Sequence, residues 1–153
     1  MNIAVAAIGC RLMKDDGVGI RVAEAIKAQL IEEHIGVVVA ETDTEYGIEA
    51  VRDCGYVIVL DAVMSGRRAG QLTVFSLKDI GSIKKLFSSQ HEMSLIDRLY
   101  REGKHNGCLI GIEAAEISFG FELSKPIQRL FKRICEQAKK QIIKIKREVT
   151  QTY

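Results

Sequence analysis

The sequence predicts an α/β fold, a three-layer α/β/α sandwich around a mostly parallel sheet. Short apolar runs, typical of strands buried on both faces, alternate along the chain with segments of helical spacing. The chain has 153 residues, of which 47% are hydrophobic, enough for one substantial core and too few for two. We therefore predict a single domain over residues 1–153, with ligand-binding groups at the carboxyl ends of its strands.

The first half of the chain contains three predicted parallel strands, each an apolar run: Ile3–Ile8, Val37–Ala40 and Tyr56–Val63. A helix is expected after the first strand, since apolar residues recur at helical spacing from Val18 to Leu30. A short second helix should follow the second strand and end near Val51.

The second half begins with Gln71–Phe75, where apolar residues alternate and predict a half-exposed edge strand. Met93–Tyr100 has helical spacing, and Cys108–Ile112 predicts another buried strand. A long C-terminal helix should start at Ser124, a suitable N-cap, with Pro126 in its first turn. Its apolar stripe comprises Ile127, Leu130, Phe131, Ile134, Ala138 and Ile142. The tail after Lys144 is expected to be loose.

Composition excludes several classes of function. Lysine and arginine number 22 against 20 acidic residues, a net charge of +2, and no alternation of aromatic and basic residues predicts a nucleic-acid surface. No apolar run approaches the roughly 20 residues needed to cross a bilayer, so membrane insertion is not expected. The four cysteines form no CxxC pair and no signal-peptide pattern is present, which predicts a reducing, cytoplasmic location.

The junction between the first strand and the first helix is the predicted working edge. Gly9, Gly17 and Gly19 lie there, but their spacing matches neither G-x-G-x-x-G nor a GKS/T phosphate loop. Asp15 and Asp16 would repel a phosphate, whereas they could attract a cation or cap the helix. A metal or a cap therefore fits better than the nucleotide of a Rossmann-like enzyme.

Three residues are candidates for one site: Asp16, Asp61 and His91. Considered singly, each has a plain structural explanation. Asp16 could cap the following helix, as could its neighbour Asp15. Asp61, at the open end of the third strand, could cap the turn at Ser65, and His91 could be a solvated histidine at a helix start.

Topology favours a shared site. In a parallel sheet the loop after the first strand and the end of the third strand lie at one edge, and a loop after the fourth strand can reach them. The two carboxylates and the imidazole would then form a donor set suited to Ni²⁺ or Zn²⁺. Since no cysteine belongs to the set, we predict an open, exchangeable site. The sequence has neither HExxH nor G-x-S-x-G, so the common hydrolase templates do not apply.

Over most of its length the chain resembles the hydrogenase maturation endopeptidases, a family of nickel-dependent processing proteases. Four motifs occur in the family's order: Asp15–Gly19, Leu60–Val63, His91–Leu95 and Gly111–Ser124. The resemblance implies removal of the C-terminal extension of a [NiFe]-hydrogenase large-subunit precursor. It further implies that Asp16, Asp61 and His91 hold nickel already installed in that precursor, so that only a loaded precursor is cut.

The chain departs from the family pattern at several positions. Ala7, Cys10 and Ala114 replace a glycine, an asparagine and a proline of the motifs. Thr42–Glu45 replaces a Gly-Gly-Thr-like turn, which the resemblance implies contacts the precursor near its cleavage point. The metal trio is intact, and three protein ligands complete no coordination shell. We therefore expect the free protein to bind nickel, or zinc and cadmium as surrogates, only weakly.

A second hypothesis, from a different class, is a binding or chaperone-like module that recognises a nickel protein without cutting it. The altered turn at Thr42–Glu45 leaves this hypothesis open. Cys10 lies beside Asp16, but a small buried cysteine is usually structural, so we expect it to be non-catalytic. The remaining cysteines lie in helix or strand patterns and are predicted to be in the core: Cys54, Cys108 and Cys135.

Overall fold

The computed structural model describes residues 1–79, 87, 90–101 and 106–152, with the backbone alone for 90–94 and 100. Within these residues five strands form one sheet: β1 (Ile3–Ile8), β2 (Ile35–Glu41), β3 (Tyr56–Val63), β4 (Leu72–Ser76) and β5 (Asn106–Glu113). Their order across the sheet is β2-β1-β3-β5-β4. The first four strands in this order are parallel, and β4 pairs antiparallel to β5 at the edge.

The α-helices of the described residues flank this sheet: α1 (Val18–Glu32), α2 (Thr44–Ala50), α3 (Gln90–Arg101) and α4 (Lys125–Gln151). Short 3₁₀ turns at Lys14–Gly17 and Leu77–Asp79 follow β1 and β4. None of the described helices is both long enough and apolar enough to span a bilayer.

Side chains alternate between the two faces of the sheet, and each face has its own core. One core packs the strands against α1 and α4, and its strand members include Val5, Ala7, Ile58, Leu60, Ile110 and Ile112. The other packs them against α2 and α3, and its strand members include Ala4, Ala6, Val57, Val59 and Leu109. Helix α3 contributes Leu95, Ile96 and Leu99 to this second core. The predicted three-layer α/β/α fold, with its edge strand and long C-terminal helix, is confirmed, and the structure shows that the edge strand is antiparallel.

The C-terminal segment corrects one prediction. Residues after Lys144 are not loose, because α4 continues to Gln151. Ile145 is buried, and Val149 packs against the core formed with α1. The apolar stripe continues at helical spacing from Ile142 through these two positions, and burial of that stripe holds the last two turns in place.

Candidate active site

The carboxyl ends of β1 and β3 bring the backbone of Asp16 and the side chain of Asp61 to one glycine, Gly9. The strands pair in register with Ala7 opposite Leu60, so the chain leaves β1 at Gly9 beside the end of β3. Gly9 has φ +133°, and a Cβ atom there would lie 2.1 Å from the backbone oxygen of Asp16 and 3.5 Å from Oδ1 of Asp61. Both aspartates therefore border a position where only glycine fits.

A second close approach fixes helix α1 against the same strand. A Cβ atom on Gly19 would lie 2.6 Å from the backbone oxygen of Leu60 and 3.1 Å from Cα of Asp61. The first turn of α1 thus contacts the backbone of β3 directly. Together the two glycines explain why the acidic turn after β1 lies beside Asp61.

Each carboxylate is buried and oriented by a backbone donor. Asp16 is 3% exposed, and its Oδ2 accepts a hydrogen bond of 2.9 Å from the backbone N–H of Cys10. Asp61 is 0% exposed, and its Oδ1 accepts a bond of 2.7 Å from the N–H of Ala62. Hydrogen bonds of this kind hold each carboxylate in one orientation.

Asp15, adjacent to Asp16, has an entirely different environment. Its carboxylate is 0% exposed and accepts hydrogen bonds from the backbone N–H groups of Ala115, Glu116 and Ser124 at 2.8–2.9 Å. The Ser124 hydroxyl donates a fourth bond of 2.6 Å. Asp15 thereby joins the turn after β1 to the loop between β5 and α4, so its role is structural.

Two capping expectations are corrected by these contacts. The N-cap of α1 is Gly17, which has no side chain, so neither acidic residue caps that helix. Ser124 is the N-cap of α4, as predicted, but its hydroxyl bonds Asp15 rather than the helix. For Asp15 and Ser124 a tertiary contact across 109 residues replaces the local cap.

A buried glutamate at the carboxyl end of β5, the strand next to β3, was not among the residues predicted from the sequence to have a role. Glu113 ends β5 at 2% exposure, and its carboxylate accepts bonds from Ser65 N and Oγ and from Arg67 N at 2.8–3.1 Å. Glu113 therefore caps the turn at Ser65, and Asp61, the residue considered for this role from the sequence, does not. Its position at the end of an apolar strand resembles that of Asp61 and could have made Glu113 a candidate, although that position does not reveal its distant partners.

His91, the third predicted ligand, lies in the first turn of α3, but its side chain is outside the described part of the structure. Asp61 lies between Leu60 and Ala62 on β3, and side chains along a strand alternate between the two faces of the sheet. Both neighbours belong to the core on the α1 and α4 side. By that alternation the Asp61 side chain projects to the face that α2 and α3 cover. Among the side chains the structure describes, which exclude His91, no three form a metal-binding group. Convergence of the three residues stays a prediction.

The cysteines divide by burial. Cys108 and Cys135 are buried as predicted, whereas Cys54 is half-buried in the turn after α2. Burial raises the pKa of the Cys108 thiol to about 11 and also raises the pKa of Cys54 and Cys135. Cys10 is half-buried in the turn beside Asp16.

Ion pairs brace the outer side of the acidic turn. The Arg11 guanidinium pairs with Glu24 of α1 and Glu41 of β2, and hydrogen bonding to these carboxylates raises its pKa. Hydrogen bonding to Arg11 in turn lowers the pKa of Glu24. Lys14 pairs with Glu116 at 2.6 Å and lowers the pKa of that carboxyl. The turn is therefore anchored to a helix, a strand and the loop before α4.

The fold is shared with solved structures of hydrogenase maturation endopeptidases. The hydrogenase maturating endopeptidase HybD from E. coli superposes with a TM-score of 0.73 at 18% identity, covering 90% of each chain. The [NiFe] hydrogenase maturation protease HybD from Thermococcus kodakarensis gives a TM-score of 0.69 at 27% identity, and the match covers 92% of this chain and 99% of the HybD chain. The HycI maturation protease from the same organism gives 0.67 at 22% identity, covering 90% and 89%.

The sequence model of the HycI family, described as hydrogenase maturation protease, matches residues 20–141. The chain belongs to the hydrogenase maturation protease family, and it is a hydrolase that acts as an endopeptidase in hydrogenase maturation. The matched range includes Asp61 and His91 and begins shortly after Asp16. No curated protein matches the sequence.

Proposed function

We propose that this endopeptidase removes the C-terminal extension of a [NiFe]-hydrogenase large-subunit precursor after nickel has been installed in it. The observation that carries the proposal is that Gly9 lies against both the backbone of Asp16 and the carboxylate of Asp61, which places the two buried aspartates at one edge of the sheet. The relative from Thermococcus kodakarensis, at 27% identity, is a [NiFe] hydrogenase maturation protease, which supports this class of substrate.

The chemistry of the two carboxylates suits a divalent ion. Both are buried, and each has one oxygen oriented by a backbone N–H group. Oxygen ligands from aspartate combine with an imidazole nitrogen in sites for Ni²⁺ and Zn²⁺. We propose His91 as that third ligand, because α3 covers the sheet face to which Asp61 projects.

Nickel belongs to the substrate in this proposal, so the protein recognises its precursor by a group that only a loaded precursor carries. Asp16, Asp61 and His91 fix the position of that group relative to the protease. The scissile peptide bond is thereby held in one geometry, and positioning of this kind is worth roughly 7–11 kcal/mol in well-oriented systems. A precursor without the ion lacks the anchor and is left uncut.

Mass spectrometry of the precursor tests the proposal directly. Purified precursor, loaded with nickel or free of it, is incubated with the protease and its mass is measured. We expect the loaded form alone to lose a short C-terminal peptide. Cleavage of both forms would contradict the role of nickel, and binding without any change in mass would favour the chaperone-like module.

Calorimetry of the free protein provides a second test. Three protein ligands leave the coordination shell incomplete, so nickel, zinc and cadmium should each bind weakly. The imidazole must be neutral to ligate, and affinity should therefore fall as the pH drops through about 6.5. Tight stoichiometric binding would instead identify a conventional metalloprotease.

A further inference from the structure

Two phenylalanines beside the acidic turn are the most exposed large apolar side chains among the described residues. Phe119 is 73% exposed and Phe121 is 64% exposed, and their rings meet edge to face with centroids 5.8 Å apart. Leu12, 46% exposed, lies in the turn to which their loop is bonded. We call Leu12, Phe119 and Phe121 the apolar rim. Clusters of this kind on a folded surface mark interaction sites more often than isolated exposed residues do.

The rim is held rigidly by the backbone. Gly120, between the two phenylalanines, donates its N–H to the Leu12 oxygen at 2.8 Å and accepts from the Lys14 N–H at 3.0 Å. The Arg21 guanidinium donates to the backbone oxygen of Phe121 at 2.5 Å. A loop whose backbone is already fixed loses little backbone conformational entropy when a partner covers it, which favours binding.

The same contacts join the rim to the active-site turn. Asp15, whose carboxylate holds both ends of the loop at Ala115 and Ser124, is the residue before Asp16. Both segments leave the sheet at the carboxyl ends of β1 and β5, the same edge at which Gly9 lies against Asp16 and Asp61. A protein substrate bound over this edge of the sheet therefore lies beside the rim as well.

We propose that the apolar rim is a docking surface for the hydrogenase precursor, and that it takes an apolar patch of that protein next to the cleaved segment. This inference rests on the proposed function, since it assigns the rim to the same substrate. Aromatic side chains dominate the energetics of such contacts because each buries a large apolar area. The rim thus contributes to substrate affinity, whereas Asp16 and Asp61 position the scissile bond of the loaded precursor.

Steady-state cleavage of the nickel-loaded precursor by matched variants tests this inference. In Phe119→Ala/Phe121→Ala we expect KM to rise about tenfold or more, typical for loss of interface aromatics, while kcat stays within about twofold. The control, Ile31→Ala/Val74→Ala, removes two other exposed apolar side chains, on the last turn of α1 and on β4. Its KM should match that of the unmodified protein. Phe119→Leu/Phe121→Leu, which keeps apolar area, should give an intermediate KM.

An unchanged KM in the double alanine variant would overturn the inference, as would a lower kcat at constant KM. So would a wild-type dimer that the double alanine variant abolishes, since a second copy would then be the occupant. If the wild type binds the precursor without cutting it, the proposed function fails, and the dissociation constants of the same variants decide the inference by themselves. Thermal unfolding of each variant verifies that the fold is retained.

Discussion

Asp15 and Asp16 are neighbours in the chain, both are buried, and they differ in nearly everything else. Asp15 accepts four hydrogen bonds from the loop before α4, three of them from backbone N–H groups. Asp16 accepts one described backbone bond, from Cys10, and borders Asp61 across Gly9. A 3₁₀ turn directs consecutive side chains apart, so one carboxylate stabilises the fold while its neighbour lies at the candidate site.

The same division recurs one strand further along the sheet. Glu113 ends β5 and is bonded to the Ser65 loop through two backbone N–H groups and a hydroxyl. Asp61, paired in register with Gly111 two residues before Glu113, has one described backbone donor. Each structural acid lies close to a candidate ligand and fixes the segment around it. Buried acidic residues at this edge therefore have to be judged by their donors and not by burial alone.

Replacing any one of the three proposed ligands should have the largest effects on activity, and Asp16→Asn tests this for an acidic ligand. The amide keeps an acceptor for the Cys10 N–H but loses the negative charge of the proposed ligand. Since positioning is worth roughly 7–11 kcal/mol in full, losing about 4 kcal/mol of it would reduce cleavage of the loaded precursor by about 1,000-fold. Asp61→Asn should behave likewise. Urea denaturation is the control, and the free energy of unfolding should change by less than about 1.5 kcal/mol for Asp16→Asn.

Replacing Asp15 by asparagine should affect stability instead. The amide cannot accept four hydrogen bonds, and its NH₂ group would face the N–H of Ser124 in the Oδ1 position, or the N–H groups of Ala115 and Glu116 in the Oδ2 position. We expect the free energy of unfolding to fall by about 2–4 kcal/mol, measured by urea denaturation. Glu116→Gln, at an exposed ion pair with Lys14, is the matched control and should leave the free energy of unfolding nearly unchanged.

The roles assigned to Asp15 and Asp16 are wrong if the two variants exchange their effects. An Asp15→Asn protein that is fully stable and inactive would assign the site to the first acidic residue. Glu113→Gln extends the test to the second pair, because its expected loss is in stability, whereas that of Asp61→Asn is in activity.

Most of the fold could be predicted from the sequence, because the spacing of apolar residues that marks helices and strands is a local property of the chain. The apolar runs locate β1 and β3 at their observed bounds, since strands buried on both faces need uninterrupted apolar sequence. The roles of Asp15 and Glu113 could not be read in the same way. Their donors lie 46–109 residues away, and nothing in local composition distinguishes an acid with distant backbone partners from a helix cap. The end of α4 was mispredicted because its last apolar residues are widely spaced among charges.

Alkaline pH should weaken the fold through the core on the α1 and α4 side. Burial raises the pKa of Cys108 from 9.0 to about 11, so the folded protein keeps this thiol protonated where the unfolded chain ionises. The stability it contributes is complete below pH 9 and is lost as the pH rises towards 11. The loss is at most about 3 kcal/mol, from 1.36 kcal/mol per unit.

Urea denaturation of the wild type and Cys108→Ala between pH 8 and 11 measures this contribution. The variant should lose less stability over that range, although burial also raises the pKa of Cys54, Cys135 and Tyr56. Identical pH profiles would contradict the assignment to Cys108. Cys108 lies near the start of β5, whereas Asp16 lies beyond the carboxyl ends of the strands, and the Cys108 side chain belongs to the core on the α1 and α4 side. Precursor affinity measured on folded protein should therefore not follow the same curve.

Cys10→Ser should have the smallest effect, although this cysteine is next to the candidate site. The structure uses its backbone N–H, which orients Asp16 at 2.9 Å, and serine retains that donor. The thiol is half-buried, and the family resemblance has an asparagine at this position, which cannot act as a thiol nucleophile. Cleavage of the loaded precursor should therefore stay within about twofold of the wild type, whereas His91→Ala should abolish it with the fold retained. If Cys10→Ser abolishes cleavage with an unchanged circular dichroism spectrum and His91→Ala does not, the protein uses cysteine chemistry. Asp16 then acts on the Cys10 thiolate and is not a metal ligand.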